Sequence, residues 1–258
     1  MKNIKLPLLK ARNLFLIGMI SVFLIGFKFD GFKSDQLRYS RVRDAYEAKG
    51  SMISNHLESL KIDQAKLQIY IRVFKEEDLL EVWGKNQNNT KYQLLKTFEV
   101  CASSGSLGPK RQQGDGQVPE GFYHIERFNP TSNFHLSLGV NYPNKSDRIL
   151  GVRGKLGGDI FIHGSCVTIG CVPLTDEKIE EVYVYGVEAK NAGQTTIPVT
   201  FFPSKLDAKK LNELLIKEKP SATTKELWKD LSKAYLYFET SRSLPTIGFL
   251  DNGDHSVE

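Results

Sequence analysis

Apolar and polar positions change their spacing along the chain, and each change predicts a different structure. Leu14 to Phe27 is a continuous apolar run, closed by Lys28 and preceded by Lys2, Lys5, Lys10 and Arg12. Basic residues followed by an apolar stretch have the order of a secretory signal. The run is shorter than the roughly 20 apolar residues of a comfortable spanning helix, and no small-x-small cleavage site follows it in Phe27 to Phe32. Residues 1–30 are therefore expected to be a signal peptide or a membrane anchor, and the only contact with membrane; a buried core helix is the alternative. No Cys adjoins this segment to accept a lipid.

The next stretch has helical spacing. Leu37, Val42, Ala45 and Tyr46 mark a helix over Asp35 to Lys49 that Gly50 is expected to stop, and Ile53, Leu57 and Leu60 mark a second. Residues 31–63 read as a helical spacer, with a docked subdomain as the other possibility. From Leu67 the period falls to two: Leu67, Ile69, Ile71 and Val73 alternate with Gln68, Tyr70, Arg72 and Phe74. A polar turn over Lys75 to Asp78 and a strand over Leu79 to Trp83 complete a hairpin. Further strands are predicted over Tyr92 to Cys101, Tyr123 to Arg127, Phe134 to Val140, Ile160 to Ile162 and Thr196 to Phe202. Ser103 to Pro119, with Gly105, Gly108, Gly114 and Gly116, reads as one long loop.

Thr175 is placed as the N-cap of a helix carrying Ile179, Val182 and Tyr183, and beyond Pro203 two amphipathic helices carry Leu211, Leu214 and Leu215, then Leu227, Leu231, Ala234 and Phe238. Asp251 to Glu258 reads as a frayed end. Short strands in series predict an α+β, β-rich domain of sandwich or barrel-like form over residues 64–204, with the N-terminal helices before it and a C-terminal helical appendage over residues 205–258.

Composition narrows the partners. With 40% hydrophobic and 25% charged residues in 258, the chain has an ordinary globular balance. Its net charge of +5 comes from scattered Lys and Arg, so no nucleic-acid arm is expected. No GxxxxGK or GxGxxG loop is present and no cofactor is expected.

The chemistry concentrates in Ile160 to Leu174. A strand runs into His163, and Gly164, Cys166, Gly170 and Cys171 follow. Cys171 supplies a soft nucleophile and His163 an imidazole to take its proton. Gly164 and Gly170 allow tight turns, and the amides of Gly170 and Cys171 are candidates to meet an oxyanion. Spacing alone leaves rivals. Cys166 and Cys171 could pair, leaving Cys101 as the odd thiol, or His163, Cys166 and Cys171 could hold zinc.

The segment His163-Gly164-Ser165-Cys166-Val167-Thr168-Ile169-Gly170-Cys171 resembles the active-site motif of the YkuD-type L,D-transpeptidases, above all their YafK-like branch. The resemblance extends to Gly105, Leu107 to Lys110, Gly114 to Gly116, Val118 to Gly121, His135 to Ser137 and Asn141 to Asn144, and covers roughly Leu67 to Phe202. It implies an L,D-transpeptidase-like catalytic domain acting on peptidoglycan stem peptides in the periplasm or cell envelope. Cys171 would attack the carbonyl at the L-centre of diaminopimelate, forming an acyl-enzyme that an amine of a neighbouring stem, or of a wall-linked protein, then resolves. His163 would be the base, with Thr168 and Gly170 in the backbone around the oxyanion.

Lys110, with Arg111, could meet stem-peptide carboxylates, and Arg153 and Gly164 are further substrate-binding candidates. Arg153 and Asp159 flank the strand and could orient His163. His124 and His135 are left outside the catalytic set. The chain departs from the wider family at Ile169, where a second His is usual, and at Pro173, where Arg or Asn is usual. Three functions follow: transpeptidase, amidase releasing diaminopimelate-linked protein, or a non-catalytic wall-binding module.

Overall fold

The protein is described here by a computed structural model covering residues 31–258; the apolar N-terminal run, with its signal or anchor reading, lies outside the described residues. The period-two stretch forms β1 (Leu67–Phe74), which pairs antiparallel with β2 (Leu79–Asn86) from Leu67 opposite Asn86 to Phe74 opposite Leu79. Strands β3 (Gln93–Glu99), β4 (Gly121–Asn129), β5 (Ser137–Val140), β6 (Phe161–His163), β7 (Val172–Pro173) and β8 (Ile197–Phe202) complete a curled eight-stranded sheet of order β3-β2-β1-β8-β4-β5-β6-β7. The last of these strands in sequence lies in the middle of the sheet, parallel to β1 and antiparallel to β4. Just before it, the Gln194 side chain extends the ladder. Its Oε1 accepts from Ile69 N and its Nε2 donates to Ile69 O, both at 2.8 Å.

Both faces of the sheet are covered, so both sets of alternating side chains on β1 are buried. On one face Ile69, Ile71, Val73 and Val199 pack against α2 (Ser40–Ser59) and α4 (Asp176–Asn191). A short α1 (Phe32–Gln36) precedes them. Helix α2 runs unbroken through Gly50, where the sequence predicts a stop. An interior Gly costs a helix only about 1 kcal/mol relative to Ala. Val42 and Ala45 before it and Ile53 and Leu57 after it, at most 1% exposed, fall on one stripe and outweigh that cost. The segment read as a spacer therefore packs against α4, where Tyr46 donates to Glu188 Oε1 at 2.7 Å and Lys33 pairs with the same carboxylate at 2.6 Å.

On the other face Phe74, Phe202 and Leu206 pack with Trp228 of α6 (Ala222–Ser241), joined by Leu214 of α5 (Ala208–Glu218). Trp228 Nε1 donates to Glu120 Oε2 at 2.7 Å, tying this appendage to the sheet. The same face buries Arg72, whose Nε and Nη2 donate to Glu81 Oε2 at 2.9 and 2.6 Å; Nη1 donates to Glu239 Oε1 at 2.7 Å. Trp83 and Phe238 flank the guanidinium at 4.9 and 4.7 Å from the ring centroids.

A helix and a terminal hairpin are among the elements absent from the sequence expectation. Asn144 and Asp147 form a capping box that starts α3 (Lys145–Leu150). The end expected to fray instead forms β9 (Ile247–Phe249) and β10 (His255–Val257), an antiparallel pair. Ser146 Oγ donates to Gly253 O at 2.6 Å, and the His255 ring packs between Phe122 and Phe249, so the terminal hairpin has partners that its local composition does not reveal.

Replacing Arg72 by Ala would strand a buried Glu81 carboxylate. Arg72→Ala is expected to destabilise the fold by about 3–5 kcal/mol, the usual cost of breaking a buried pair on one side. Urea unfolding would show it as a lowered midpoint; a loss under about 1 kcal/mol would mean that the pair is effectively solvated.

Candidate active site

His163 ends β6 and Cys171 immediately precedes β7; these two strands pair in parallel, Ile162 with Val172 and His163 with Pro173. The connecting loop is tight. A Cβ at Gly164 would lie 2.6 Å from Asp176 Oδ1 and 2.9 Å from Phe134 O, so only Gly fits. Asp176, in the first turn of α4, accepts from Ser165 N at 2.9 Å, while Ser165 itself sits at φ 63. Gly170 has φ 128 and packs on the Gln117 carbonyl.

Thr168 fixes the end of the loop. Its Oγ1 accepts from Cys171 N at 2.8 Å and Gly170 N at 3.2 Å, and donates to Cys171 O at 2.8 Å. The two amides that the sequence nominates for an oxyanion are thus engaged by this hydroxyl, which has to turn away before they can meet another acceptor.

The Cys171 sulfur accepts from Phe161 N at 3.4 Å and its S–H donates to Asp159 O at 3.7 Å. Burial pushes the thiol pKa up; the Phe161 amide and the Lys110 ammonium pull the other way, and the Asp159 charge adds to the rise. His163 is buried, at 2% exposure, and its pKa is lowered by that burial against an opposing hydrogen bond to Gly164. That bond is 2.5 Å from Nδ1 to Gly164 O. A carbonyl can only accept, so the neutral ring carries its proton on Nδ1 and offers the Nε2 lone pair. Nε2 has no hydrogen-bond partner among the described residues, and Phe134 lies over the ring with centroids 4.7 Å apart. No hydrogen bond joins His163 to Cys171 in this structure; such contacts often tighten only when substrate binds.

The orienting group for His163 is therefore the Gly164 carbonyl. Asp159 pairs with Arg127 at 2.9 Å instead, and Arg153 is exposed in the turn after α3. Lys110 is buried, donating to Asp115 Oδ1 at 2.5 Å and to Gln112 O at 2.9 Å. Asp115 also accepts the amides of Arg111, Gln112 and Gln117, so the Gly-rich loop is built around a carboxylate. His135 pairs with Glu180 at 2.9 Å, and His124 lies on β4 at a separate cavity.

The cysteine pairing is decisive. Cys101 and Cys166 form a disulfide with Cα atoms 5.4 Å apart, and Cys171 is free. This overturns the Cys166–Cys171 pairing and, because Cys166 has no thiolate to give, the three-residue zinc arrangement. The pairing follows from topology: Cys101 N donates to Pro173 O at 3.1 Å, which brings the end of the β3 segment beside β7.

The free thiol lies on the wall of a cavity of about 190 Å³ with Val73, Ser104, Leu107, Val118 and Lys75. Lys75 had no signal in the sequence beyond its place in a polar turn. Its Nζ fastens the loop by donating to Gly108 O at 2.8 Å and Val118 O at 3.0 Å while pairing with Glu120 at 3.0 Å.

The class defined by the fold is an α+β protein with a curled half-barrel sheet, here presenting a loop-held thiol to a cavity. The model of the YkuD family, the L,D-transpeptidase catalytic domain, matches residues 68–196. The Escherichia coli (strain K12) protein named "Putative L,D-transpeptidase YafK" is 35% identical over 191 residues, covering 73% of each chain. The chain belongs to the L,D-transpeptidase family. Among solved structures, the helical cell shape determining protein Pgp2 of Campylobacter jejuni is similar at 18% identity and TM-score 0.43, over 72% of this chain and 74% of that one. Bd1075 of Bdellovibrio bacteriovorus is similar at 19% identity and TM-score 0.38, over 69% of this chain and 59% of that one.

Iodoacetamide applied to the native, unreduced protein is expected to label one cysteine, Cys171, while peptide mapping recovers Cys101 joined to Cys166. Label on Cys101 or Cys166 in that preparation would refute the pairing.

Proposed function

We propose that the protein is an exported cysteine acyltransferase that acts on peptidoglycan stem peptides at the L-centre of diaminopimelate. The observation that carries the reading is the free Cys171 thiol at a cavity wall, spared by the Cys101–Cys166 bond and following a strand that ends in a neutral His163. In this reading His163 Nε2 takes the Cys171 proton as sulfur attacks the carbonyl. The thioester forms as the C–N bond breaks, and the same proton passes to the departing amine. A second amine, from another stem or a wall-linked protein, then attacks the thioester, restoring the thiol.

The raised thiol and lowered imidazole pKa values favour a neutral resting pair over a preformed thiolate–imidazolium. Proton transfer accompanies attack. In this scheme Arg153 offers an exposed charge to a stem carboxylate and the buried Lys110 acts through its field at sulfur, while Gly164, expected to contact substrate, is buried against Asp176 and Phe134 and serves the packing of the loop. Residues 1–30 would deliver the enzyme to the periplasm or hold it at the membrane.

Cys171→Ala is expected to abolish turnover of diaminopimelate-containing muropeptides, read by mass spectrometry; retained turnover would defeat the assignment. With wild-type protein, adding a free amine should give amine-capped products, whereas water-capped products alone would identify an amidase. Wall sedimentation without turnover would identify a binding module.

The pH dependence has a fixed sign. Because the folded imidazole is harder to protonate than an ordinary one at 6.5, His163 stays a base to lower pH, and the acid limb of kcat/KM should fall below 6.5. An acid limb above that value would exclude neutral His163 as the base.

A further inference from the structure

A second cavity, of about 430 Å³, opens on the sheet face opposite α4, between β4, the β5–α3 connection and the terminal hairpin. Such a volume suits a small organic ligand. Phe122 and Phe249 give it an apolar wall, and none of the residues lining it carries a carboxylate. Its polar groups are unevenly spent. Lys145 is engaged, donating to Phe249 O and Asp251 Oδ1 at 3.0 Å each. Asn141 Oδ1 is engaged too, accepting from His124 N at 2.7 Å.

No hydrogen bond among the described residues engages the Arg148 guanidinium, which is exposed at the cavity mouth and whose charge also acts on the buried Asp147, nor the Asn141 Nδ2 amide, the His124 ring or the Thr196 hydroxyl. Arg148 and Asn141 can only donate from these atoms, and a neutral imidazole donates from one nitrogen. His124 and Thr196 can donate or accept, but a guanidinium and an amide donor in a lining that carries no carboxylate favour an anionic acceptor. Since the Lys145 charge is already balanced by Asp251, a monoanion matches better than a phosphate dianion. A planar guanidinium grips a carboxylate through two parallel hydrogen bonds.

We infer that this cavity is a second binding site, separate from the Cys171 cavity, for a small carboxylate ligand. Its carboxylate meets Arg148 and Asn141, and its apolar part lies on Phe122 and Phe249. A peptide C-terminus and a carboxylate-bearing sugar share this chemistry. The inference does not rest on the proposed reaction, and binding is measurable without turnover.

The test is calorimetric titration of full-length Cys171→Ala protein with N-acetyl-alanyl-alanine, with its C-terminal amide, and with N-acetylmuramic acid. At least one acid should bind. If the peptide acid is the source, its amide should bind about tenfold more weakly or not at all. Arg148→Gln should weaken the bound acid by about tenfold, while Lys209→Gln, which changes a remote exposed charge, leaves it unchanged. Binding of the sugar acid alone, with the same dependence on Arg148, supports the site and identifies a sugar ligand. Equal binding of peptide acid and amide, indifference to Arg148→Gln, or no binding by either acid overturns the inference.

Discussion

The site depends on the insertion of β8 between β1 and β4. The hairpin strands β1 and β2 carry one wall of the thiol cavity through Val73 and Lys75, while β6 and β7 carry His163 and border Cys171. These two groups of strands share no direct pairing; they are joined through β8, which bonds in parallel to β1 and antiparallel to β4. Gln194 begins that junction one turn early by pairing both its amide groups with Ile69. A backbone amide and carbonyl buried beside the start of a strand must be satisfied, and here a side chain does it.

Around that junction the active-site loops are held mainly by polar contacts to backbone. Lys75, Asp115, Thr168 and Asp176 each bind backbone groups of a loop that has no ladder of its own. Four side chains from separate parts of the chain thereby supply what a strand would supply by pairing. The thiol needs such a frame because burial alone raises its pKa, and the opposing influences come from groups fixed in position, the Phe161 amide and the Lys110 charge.

Much of the sheet could be read from spacing. Leu67 to Phe74 alternates strictly, and its pairing with β2 follows from the short polar turn. The family, and the motif running from His163 to Cys171, were legible through residues whose order matches across several loops. What could not be read depends on distant partners. Gly50 marks a stop by local propensity, but four buried residues on one stripe decide otherwise. Asp251 to Glu258 is polar, yet its hairpin closes against α3 and Phe122. Lys110 was expected to meet stem-peptide carboxylates; only the fold reveals that it is paired with Asp115. For the cysteines, spacing pointed to the near neighbour, because nothing local to Cys101 tells that β3 ends beside β7.

The observed disulfide closes a span of 65 residues, while Cys166 and Cys171 stand only five apart. In an unfolded chain the shorter closure has the lower entropic cost, so an oxidant meeting the chain early favours the bridge that consumes the Cys171 thiol. Thiol–disulfide exchange through Cys101 can correct that bridge without net oxidation, since the incoming and outgoing sulfurs are equal in number. Assembly of the sheet, by carrying Cys101 to Cys166, thus selects the long closure over the short one and leaves Cys171 as the free thiol at the cavity.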